Sequence, residues 1–267
     1  MQSNENQLLP LPPALVALTR QATWTPVTVG CSGVQMFRLA QAGERNRYLK
    51  VAPRDLGVRL ADEKARLDWL AGRIPVPDVL YFREDGAGDY LMTSEIAGLM
   101  AHDEAFAGNL LRVVRLLATG LRMIHSLPVE DCPFDQRLAA RIPLARGRLL
   151  AGQVDEADFD AVRQGRRAVD LFDELLSSVP GNEDVVFTHG DYCLPNVILN
   201  SSGTTLNGFI DWDRGGIADR YQDLGIAARS LARNGGRQWA PLLFREYGLE
   251  RVDEAKVRFY QLLDEFF

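Results

Sequence analysis

Cysteine and long apolar runs are both scarce in this chain of 267 residues, and each scarcity excludes a class of protein. The three cysteines, Cys31, Cys132 and Cys193, are odd in number and widely spaced, unlike a disulfide framework or a zinc site. No uninterrupted apolar run approaches the roughly 20 residues that a membrane helix needs. The apolar start is broken by prolines and follows no basic residue, so it is a poor signal peptide. We therefore expect a cytoplasmic protein with no membrane partner.

An excess of basic residues is also lacking. The chain has 36 acidic and 30 basic side chains and a formal net charge of -6, which argues against a nucleic-acid partner because such proteins need a basic face. The acidity is concentrated in residues 91–267, which carry 26 acidic and 19 basic side chains, whereas residues 1–90 are nearly balanced. This distribution is compatible with a cationic ligand in the second part of the chain.

The pattern of apolar residues predicts two lobes. Short β-forming runs in the first third of the chain predict an antiparallel sheet with one main helix over Leu56–Leu70. A break at 96–98 predicts a hinge, and the pattern beyond it is mainly helical. The predicted helices of this second part include Leu110–His125, Leu144–Ala151, Arg163–Leu176 and Asp253–Phe267. We therefore predict an α+β protein with an antiparallel N-terminal lobe at residues 1–95 and a mostly helical C-terminal lobe at residues 96–267.

One motif concentrates chemically useful side chains. Asp191 follows His189 and Gly190 in a loop after a strand-like run, and Asn196 lies at the far end of the same loop. Asp211 comes twenty residues after Asp191, at the end of the next hairpin strand. Two carboxylates and an amide oxygen would then converge at one loop edge. Such a set suits phosphoryl transfer, in which one carboxylate orients a hydroxyl and the other oxygens hold Mg²⁺.

The order and spacing of this motif, His-Gly-Asp-x-x-x-x-Asn followed by Ile-Asp, resemble those of the kinase-like phosphotransferases. These include the aminoglycoside phosphotransferases, choline kinases, fructosamine kinases and homoserine kinases. The resemblance implies a bilobal protein-kinase-like fold that uses ATP or GTP with Mg²⁺. It implies that Asp191 is the catalytic carboxylate and that Asn196 and Asp211 bind the metal. We expect His189 to pack and hydrogen-bond the loop rather than to transfer protons.

The N-terminal lobe should supply the nucleotide site. Lys50 lies in a strand-like run and is one of only three lysines against 27 arginines, and its ammonium could reach nucleotide phosphates as a point charge. The resemblance implies that Glu63, on the following helix, holds Lys50 by an ion pair. A solvated helix acid is the alternative for Glu63. We expect Lys64 and Lys256 to be ordinary surface residues.

Other nucleotide contacts are weaker predictions. The turn at 30–33 is the candidate phosphate-covering loop, in which the Ser32 hydroxyl would meet the β-phosphate, although glycine-serine turns are common. Tyr48 and Ile210 are expected to enclose the adenine, with backbone groups of Ser94–Ile96 bonding its edge. Plain core packing is the alternative for both side chains.

The last residues, Asp264 to Phe267, resemble the corresponding segment of the aminoglycoside 3'-phosphotransferases, and the resemblance runs over nearly the whole chain. It implies that Asp264, Glu265 and the carboxylate of Phe267 hold ammonium groups of the substrate. Arg214 is expected to contact that carboxylate or the transferred phosphate. We expect Asp219 and Asp223 to be structural residues that fix the loop near Asp211.

A run of acids at 155–160 is the second substrate candidate. Its four carboxylates repel one another, and a polycation would relieve that repulsion. By position in the family, Asp158 and Asp160 are the expected ligands. The alternative is a solvated helix start that is favoured by the helix dipole.

The sequence departs from the family pattern at two places. Trp212 and Asp213 add bulk and a carboxylate after Asp211, and Arg233 stands where related enzymes commonly carry an acid. Arg233 should repel a substrate ammonium. The function that these features predict is transfer of the ATP γ-phosphate to the 3'-hydroxyl of kanamycin- or neomycin-type aminoglycosides, which gives antibiotic resistance. A choline or fructosamine kinase of the same fold, and a non-catalytic nucleotide-binding module, are the alternatives.

Overall fold

The computed structural model describes residues 10–27 and 33–267 and divides the chain into two compact units. The first unit ends at Ala97, and the second runs from Gly98 to Phe267. The division lies in the segment where the sequence pattern predicts a hinge. Ser32 lies outside the described residues.

The first unit is built on a five-stranded antiparallel sheet with the strand order β1-β2-β3-β5-β4. Its elements are α1 (Pro13–Thr19), β1 (Thr23–Val27), β2 (Gln35–Ala40), β3 (Arg47–Pro53), α2 (Leu60–Leu70), β4 (Val79–Glu84) and β5 (Gly88–Ser94). On one sheet face, Leu49 and Val51 of the central strand β3 join Leu15 of α1 in a buried cluster. Because side chains alternate along a strand, Lys50 projects from the opposite face.

The helix that the sequence predicts over Leu56–Leu70 begins only at Leu60. Gly57 has a left-handed φ of 73°, which ends a short 3₁₀ turn and prevents the helix from starting earlier. The Asp89 carboxylate then accepts the N–H of Leu60 at 3.0 Å and satisfies one of the donors at the helix start.

The second unit combines two small sheets with six helices among the residues that the structure describes. The strands are β6 (Leu99–Met100), β7 (Val185–Thr188), β8 (Val197–Leu199), β9 (Leu206–Phe209) and β10 (Gly216–Asp219), paired in the orders β6-β8-β9 and β10-β7. The helices are α3 (Leu110–His125), α4 (Leu138–Leu150), α5 (Ala168–Ser177), α6 (Tyr221–Gly235), α7 (Ala240–Tyr247) and α8 (Glu254–Asp264). Helix α6 is buried along most of its length and packs against α3, α7 and α8, so it forms the centre of this unit.

Two further helices begin several residues away from their predicted starts. Helix α4 begins at Leu138 and contains Pro143, which the sequence pattern places before the helix because proline disfavours a helix interior. Helix α5 begins at Ala168 rather than at Arg163, because the Glu156 carboxylate accepts the Ala168 N–H at 2.6 Å. The predicted α+β class and the antiparallel sheet of the first lobe are confirmed.

Over residues 10–27 and 33–267, none of the helices combines the length and apolar character that crossing a bilayer requires.

Candidate active site

The loop that follows β7 is fixed by one buried carboxylate. Asp223, on α6, accepts the backbone N–H groups of His189 at 2.7 Å and Gly190 at 2.9 Å. The neighbouring Gln222 amide donates to the Gly190 carbonyl at 3.2 Å. Asp223 is expected to fix the loop near Asp211, and in the structure its carboxylate binds the loop that precedes Asp191. It therefore orients the residue that the motif marks as catalytic.

Gly190 is required where it stands. Its φ is 85°, and a Cβ there would lie 2.2 Å from the carbonyl oxygen of Arg214. Only glycine permits both this conformation and this close approach. The glycine of the His-Gly-Asp motif thereby brings the Asp191 loop against the segment that follows Asp211.

The same loop is also held from α3. The Tyr192 hydroxyl donates to the Leu117 carbonyl at 2.9 Å. A Cβ at Gly120 would lie 2.3 Å from that hydroxyl oxygen, so a glycine on this turn of α3 makes room for Tyr192. On the far side of the loop, the Leu194 N–H donates to the Ser230 hydroxyl at 3.0 Å. Contacts from α3 and α6 therefore leave the loop little freedom to move.

His189 joins two parts of the site through both ring nitrogens. Its Nε2 donates to the Ile210 carbonyl at 3.0 Å, and its Nδ1 accepts the Asp191 N–H at 3.3 Å. The ring is buried and lies 4.3 Å from the Trp212 ring, centroid to centroid. Since both nitrogens are used within the loop, His189 packs and hydrogen-bonds as expected.

Asp191 and Asn196 are in direct contact. The Asn196 Nδ2 donates to the Asp191 Oδ2 and to the Asp191 carbonyl, both at 2.9 Å. Burial raises the pKa of Asp191, an effect that the nearby Arg214 guanidinium opposes. The contact fixes the Asp191 carboxylate and directs the Asn196 amide nitrogen toward it, so the amide oxygen is the atom available to a metal.

Asp211 reaches the same area through the β8–β9 hairpin. Val197 pairs with Phe209, and the Ile210 N–H donates to the Asn196 carbonyl at 3.0 Å. Asp211 then adopts a φ of 66°, the only left-handed conformation of a non-glycine residue in the described part of the chain. Such strain is uncommon outside turns and functional sites, and here it re-aims the carboxylate that the motif assigns to the metal.

Asn196 and Asp211 fit a magnesium ion. Both offer hard oxygen ligands, and proteins commonly supply one or two carboxylates to Mg²⁺ while phosphates and waters complete the octahedron. Within the described ranges, no three His, Cys, Asp or Glu side chains form a group that would hold a metal by themselves. The donor set therefore suits a metal that arrives with a phosphate ligand.

The first unit contains the ion pair that the resemblance implies. The Lys50 Nζ lies 2.8 Å from each carboxylate oxygen of Glu63, and Glu63 is buried. Lys64, the next residue on α2, instead pairs with Asp68 at the helix surface, as expected. The burial of Glu63 makes it a fixed partner for Lys50 rather than a solvated helix acid.

The side chain of Glu95 has a role that was not predicted, although its backbone lies within the predicted adenine-contacting run Ser94–Ile96. Its carboxylate accepts from Arg38 at 2.6 Å, from Asn46 at 2.7 Å and from the Tyr48 hydroxyl at 3.4 Å. Its backbone N–H also donates to the Asn46 carbonyl at 2.9 Å. These bonds fix both the Tyr48 ring and the backbone next to Ser94 and Ile96, the groups that are predicted to contact adenine.

A cluster of carboxylates and arginines lies in the second unit, and we call it the arginine–carboxylate cluster. It consists of Asp160, Arg163, Arg214, Arg229, Arg233, Asp264 and Glu265. The structure thus brings together four of the residues that are predicted to bind substrate, Asp160, Arg214, Asp264 and Glu265. It also pairs every carboxylate among them with guanidinium groups.

Arg229 is the centre of this cluster. Its guanidinium binds Asp264 and lies 3.5 Å from Asp160 and 3.6 Å from Glu265. Arg214 contacts the other oxygen of Asp264 at 3.1 Å. Burial alone would raise the pKa of Asp264, but Arg229 and Arg214 outweigh it and hold that pKa below its ordinary value. Asp264 is therefore an ionised carboxylate that two arginines already neutralise.

Asp160 is shared by three arginines. Arg233 binds its Oδ1 at 2.6 Å, and Arg163 and Arg229 lie 3.2 and 3.5 Å from its Oδ2. Arg163 also bonds Glu265 at 3.0 Å. Burial and the nearby Asp160 carboxylate raise the pKa of Glu265 to about 7. The cluster therefore holds less negative charge than its three acids suggest.

The structure separates the other predicted substrate residues. Asp158 is exposed and lies outside the cluster, while Asp155 and Glu156 accept nearby backbone N–H groups. The acid run does not form one polycation site, because a turn rather than a helix start directs its side chains apart. The Phe267 ring packs under the Arg141 guanidinium, whose carbon lies 3.4 Å from the ring centroid.

Two further side chains differ from the expectation. Lys256 is buried rather than on the surface, with its Nζ 2.6 Å from the Asp219 carboxylate. Arg229 was missed, although its spacing of four residues from Arg233 on α6 places both guanidinium groups on one helix face and could have indicated it. No comparable signal in the sequence marks Arg163.

The chain is similar to known proteins over most of its length. A model of the phosphotransferase enzyme family matches residues 23–260. An aminoglycoside 3'-phosphotransferase of Niallia circulans is 38% identical over 96% of this chain and 97% of its own length.

Two solved structures extend the comparison. The crystal structure of an aminoglycoside 3'-phosphotransferase of type VIII superimposes with a TM-score of 0.86 at 37% identity, covering 95% of this chain and 97% of that one. The aminoglycoside phosphotransferase APH(3'')-Id of Streptomyces rimosus, in complex with ADP and streptomycin, gives a TM-score of 0.82 at 31% identity and covers 94% of this chain and 95% of that one. These enzymes share the two-lobed kinase-like fold over almost the whole of both chains.

Proposed function

This chain belongs to the phosphotransferase enzyme family, and from that premise we infer that it transfers the γ-phosphoryl group of ATP to the 3'-hydroxyl of an aminoglycoside. The observation that carries this proposal is the Asp191 carboxylate, which Asn196 fixes at 2.9 Å on a loop that Asp223 anchors. The 3' position is inferred from the relatives of that name. Transfer of a phosphoryl group would inactivate the drug for its usual target and give resistance.

Asp191 would orient the acceptor hydroxyl and take its proton. The hydroxyl oxygen would attack the γ-phosphorus as the bond to the bridging oxygen breaks, so that ADP leaves and the acceptor gains the phosphoryl group. Burial raises the pKa of Asp191, which makes the carboxylate a better proton acceptor than one in water. Most of the rate would come from positioning and fixed charges.

The predicted nucleotide ligands are a lysine and a pair of metal-binding residues. Lys50, oriented by Glu63, would bind phosphate oxygens, and Asn196 and Asp211 would bind the Mg²⁺ that accompanies ATP. The bound metal would supply charge neutralisation of the phosphates. Tyr48 and Ile210 would contact the adenine, the backbone of Ser94–Ile96 would bond its edge, and Ser32 would contact the β-phosphate. Because ATP is a cytoplasmic cofactor, we place the enzyme there.

The proposal is tested with purified protein, ATP, Mg²⁺ and a panel of acceptors, with ADP release as the signal. We expect turnover of kanamycin and none of its 3'-deoxy analogue tobramycin. Equal turnover of the two would exclude the 3' position, and turnover of streptomycin alone would select the regiochemistry of a 3''-enzyme. Turnover of choline or a fructosamine in place of kanamycin would select a metabolic kinase.

The role of Asp191 is tested by Asp191→Asn beside Asp213→Asn, an exposed acid of the neighbouring loop. Loss of the carboxylate should lower kcat by at least about 10³-fold and leave nucleotide binding intact, since the group acts only in the transfer step. The Asp213 variant should keep most of the activity. Full activity of Asp191→Asn would overturn the assignment of Asp191 as the catalytic carboxylate.

A further inference from the structure

The arginine–carboxylate cluster has four guanidinium groups and three carboxylates, although it contains the acids that are expected to bind a polycation. We propose that Arg233 is a specificity-determining residue, which makes this enzyme prefer an acceptor that presents a hydroxyl, rather than an ammonium, to Asp160. The inference rests on the proposed function and names the class of aminoglycoside that the site accepts.

Arg233 occupies the place that a substrate cation would take on Asp160. It reaches Oδ1 at 2.6 Å from the last turn of α6, and its side chain is 53% exposed while that of Asp160 is 10% exposed. The outward oxygen of a nearly buried carboxylate is therefore bound by a guanidinium that comes from the solvent side. An ammonium from solution would have to compete with a cation that is tethered to the protein.

The inner oxygen of Asp160 offers no second site. Arg163 and Arg229 lie beside it, and their side chains are 9% and 16% exposed. Each also bonds another carboxylate, Arg163 with Glu265 and Arg229 with Asp264. Displacing either would leave buried charges unpaired, which costs far more than moving a half-exposed side chain. Arg233 is the partner that can shift enough to admit an acceptor group beside Asp160.

A hydroxyl fits this pair better than an ammonium does. It can donate to the Asp160 carboxylate and accept from the Arg233 guanidinium in the same position. An ammonium can only donate, and the guanidinium repels it. With Arg229 and Arg163 already present, the cluster has no spare negative charge to offset that repulsion. The proposed preference follows from this donor and charge balance.

The test uses two pairs of acceptors that keep the 3'-hydroxyl and differ at one position, where one member has a hydroxyl and the other an ammonium. These are paromomycin with neomycin, and kanamycin A with kanamycin B. Steady-state KM and kcat are measured for the wild type, Arg233→Gln and Arg115→Gln. Arg115 is the matched control because it also forms a half-exposed ion pair, with Glu246 on the surface of the same unit.

In at least one pair, the wild type should have the lower KM for the hydroxyl member. Arg233→Gln should lower the KM of the ammonium member by about three- to ten-fold, the size of one partly exposed charge interaction, and bring the two KM values together. The kcat and the KM for ATP should stay unchanged. Arg115→Gln should leave the KM ratios of both pairs at their wild-type values.

Each failure has a distinct meaning. If the wild type phosphorylates none of the four acceptors, the proposed function itself is wrong. If it phosphorylates them but shows no preference in either pair, or if Arg233→Gln and Arg115→Gln change the ratios equally, the function stands and the role of Arg233 is wrong. A thermal melt of each variant confirms that it is folded before its KM is compared.

Discussion

The charged groups of the predicted nucleotide site in the first unit and of the predicted substrate site in the second are paired in opposite ways. In the first, one lysine meets one glutamate, and Lys50 and Glu63 come from a strand and a helix that lie next to each other in the chain. In the second, seven charged side chains from four segments converge, and each carboxylate among them contacts at least one arginine. The first arrangement presents a single oriented ammonium, whereas the second cancels most of its own charge.

This difference shows that a count of acids does not locate a cation site. Residues 91–267 have seven more acids than bases, and the acids at 160, 264 and 265 do come together. The same folding event brings four arginines to them. Local pairing therefore decides what a ligand meets, while net charge describes only the average over the surface.

Removing the Lys50 ammonium should have the largest effect on activity. We expect Lys50→Met to lower kcat/KM for ATP by about 10³-fold, or about 4 kcal/mol, because an oriented charge on the phosphates is lost. Lys64→Met, at the neighbouring surface pair, is the control for loss of a lysine from the same unit. A loss below ten-fold would place the phosphate contact elsewhere.

Breaking the arginine–carboxylate cluster should affect the stability of the protein more than its catalytic rate. Arg229→Ala removes the guanidinium that three buried carboxylates share, and we expect the free energy of unfolding to fall by about 3 kcal/mol. Arg115→Ala, which removes an exposed pair, should cost less than about 1 kcal/mol. Urea unfolding followed by circular dichroism measures both. Equal losses for the two variants would mean that the cluster is no better coupled than a surface ion pair.

The smallest effect should appear as a pH dependence. Because burial and Asp160 raise the pKa of Glu265 from 4.5 to about 7, the folded chain keeps this proton after the unfolded chain has lost it. The stability that Glu265 contributes is therefore full below pH 4.5 and is lost as pH rises through 7. Relative to the wild type, Glu265→Gln should gain about 1 kcal/mol between pH 5 and pH 8, after allowance for partial exposure.

Chemical unfolding of both proteins at pH 5, 6, 7 and 8 gives this difference. Glu174→Gln, at an exposed pair with Arg166, is the control and should run parallel to the wild type. A constant difference between Glu265→Gln and the wild type over this range would show that Glu265 is ionised throughout. The cluster would then carry its full negative charge at neutral pH.

The catalytic loop is the part of the site that could be predicted best from the sequence. The role of His189 depends on Asp191 and Ile210, which the order His-Gly-Asp, Asn, Ile-Asp keeps at fixed spacing. The helix starts at Leu60 and Ala168 were missed, because each depends on a carboxylate that only the folded chain brings near. Lys256 was misplaced for the same reason, since its partner Asp219 is distant in sequence.

The sequence by itself determined the two-lobed class and the motif that contains Asp191, Asn196 and Asp211, because periodicity and short-range spacing carry that information. The pairing of Lys50 with Glu63 was implied by the family resemblance. Only the tertiary structure decided which carboxylates are paired with arginines and which stay available to a cationic ligand. The contacts of Asp160 with Arg229 and Arg233 join residues about seventy positions apart, and those of Arg163 with Glu265 join residues about a hundred apart. No local pattern encodes such pairs, since charge neutralisation depends on distances that exist only after the helices have packed.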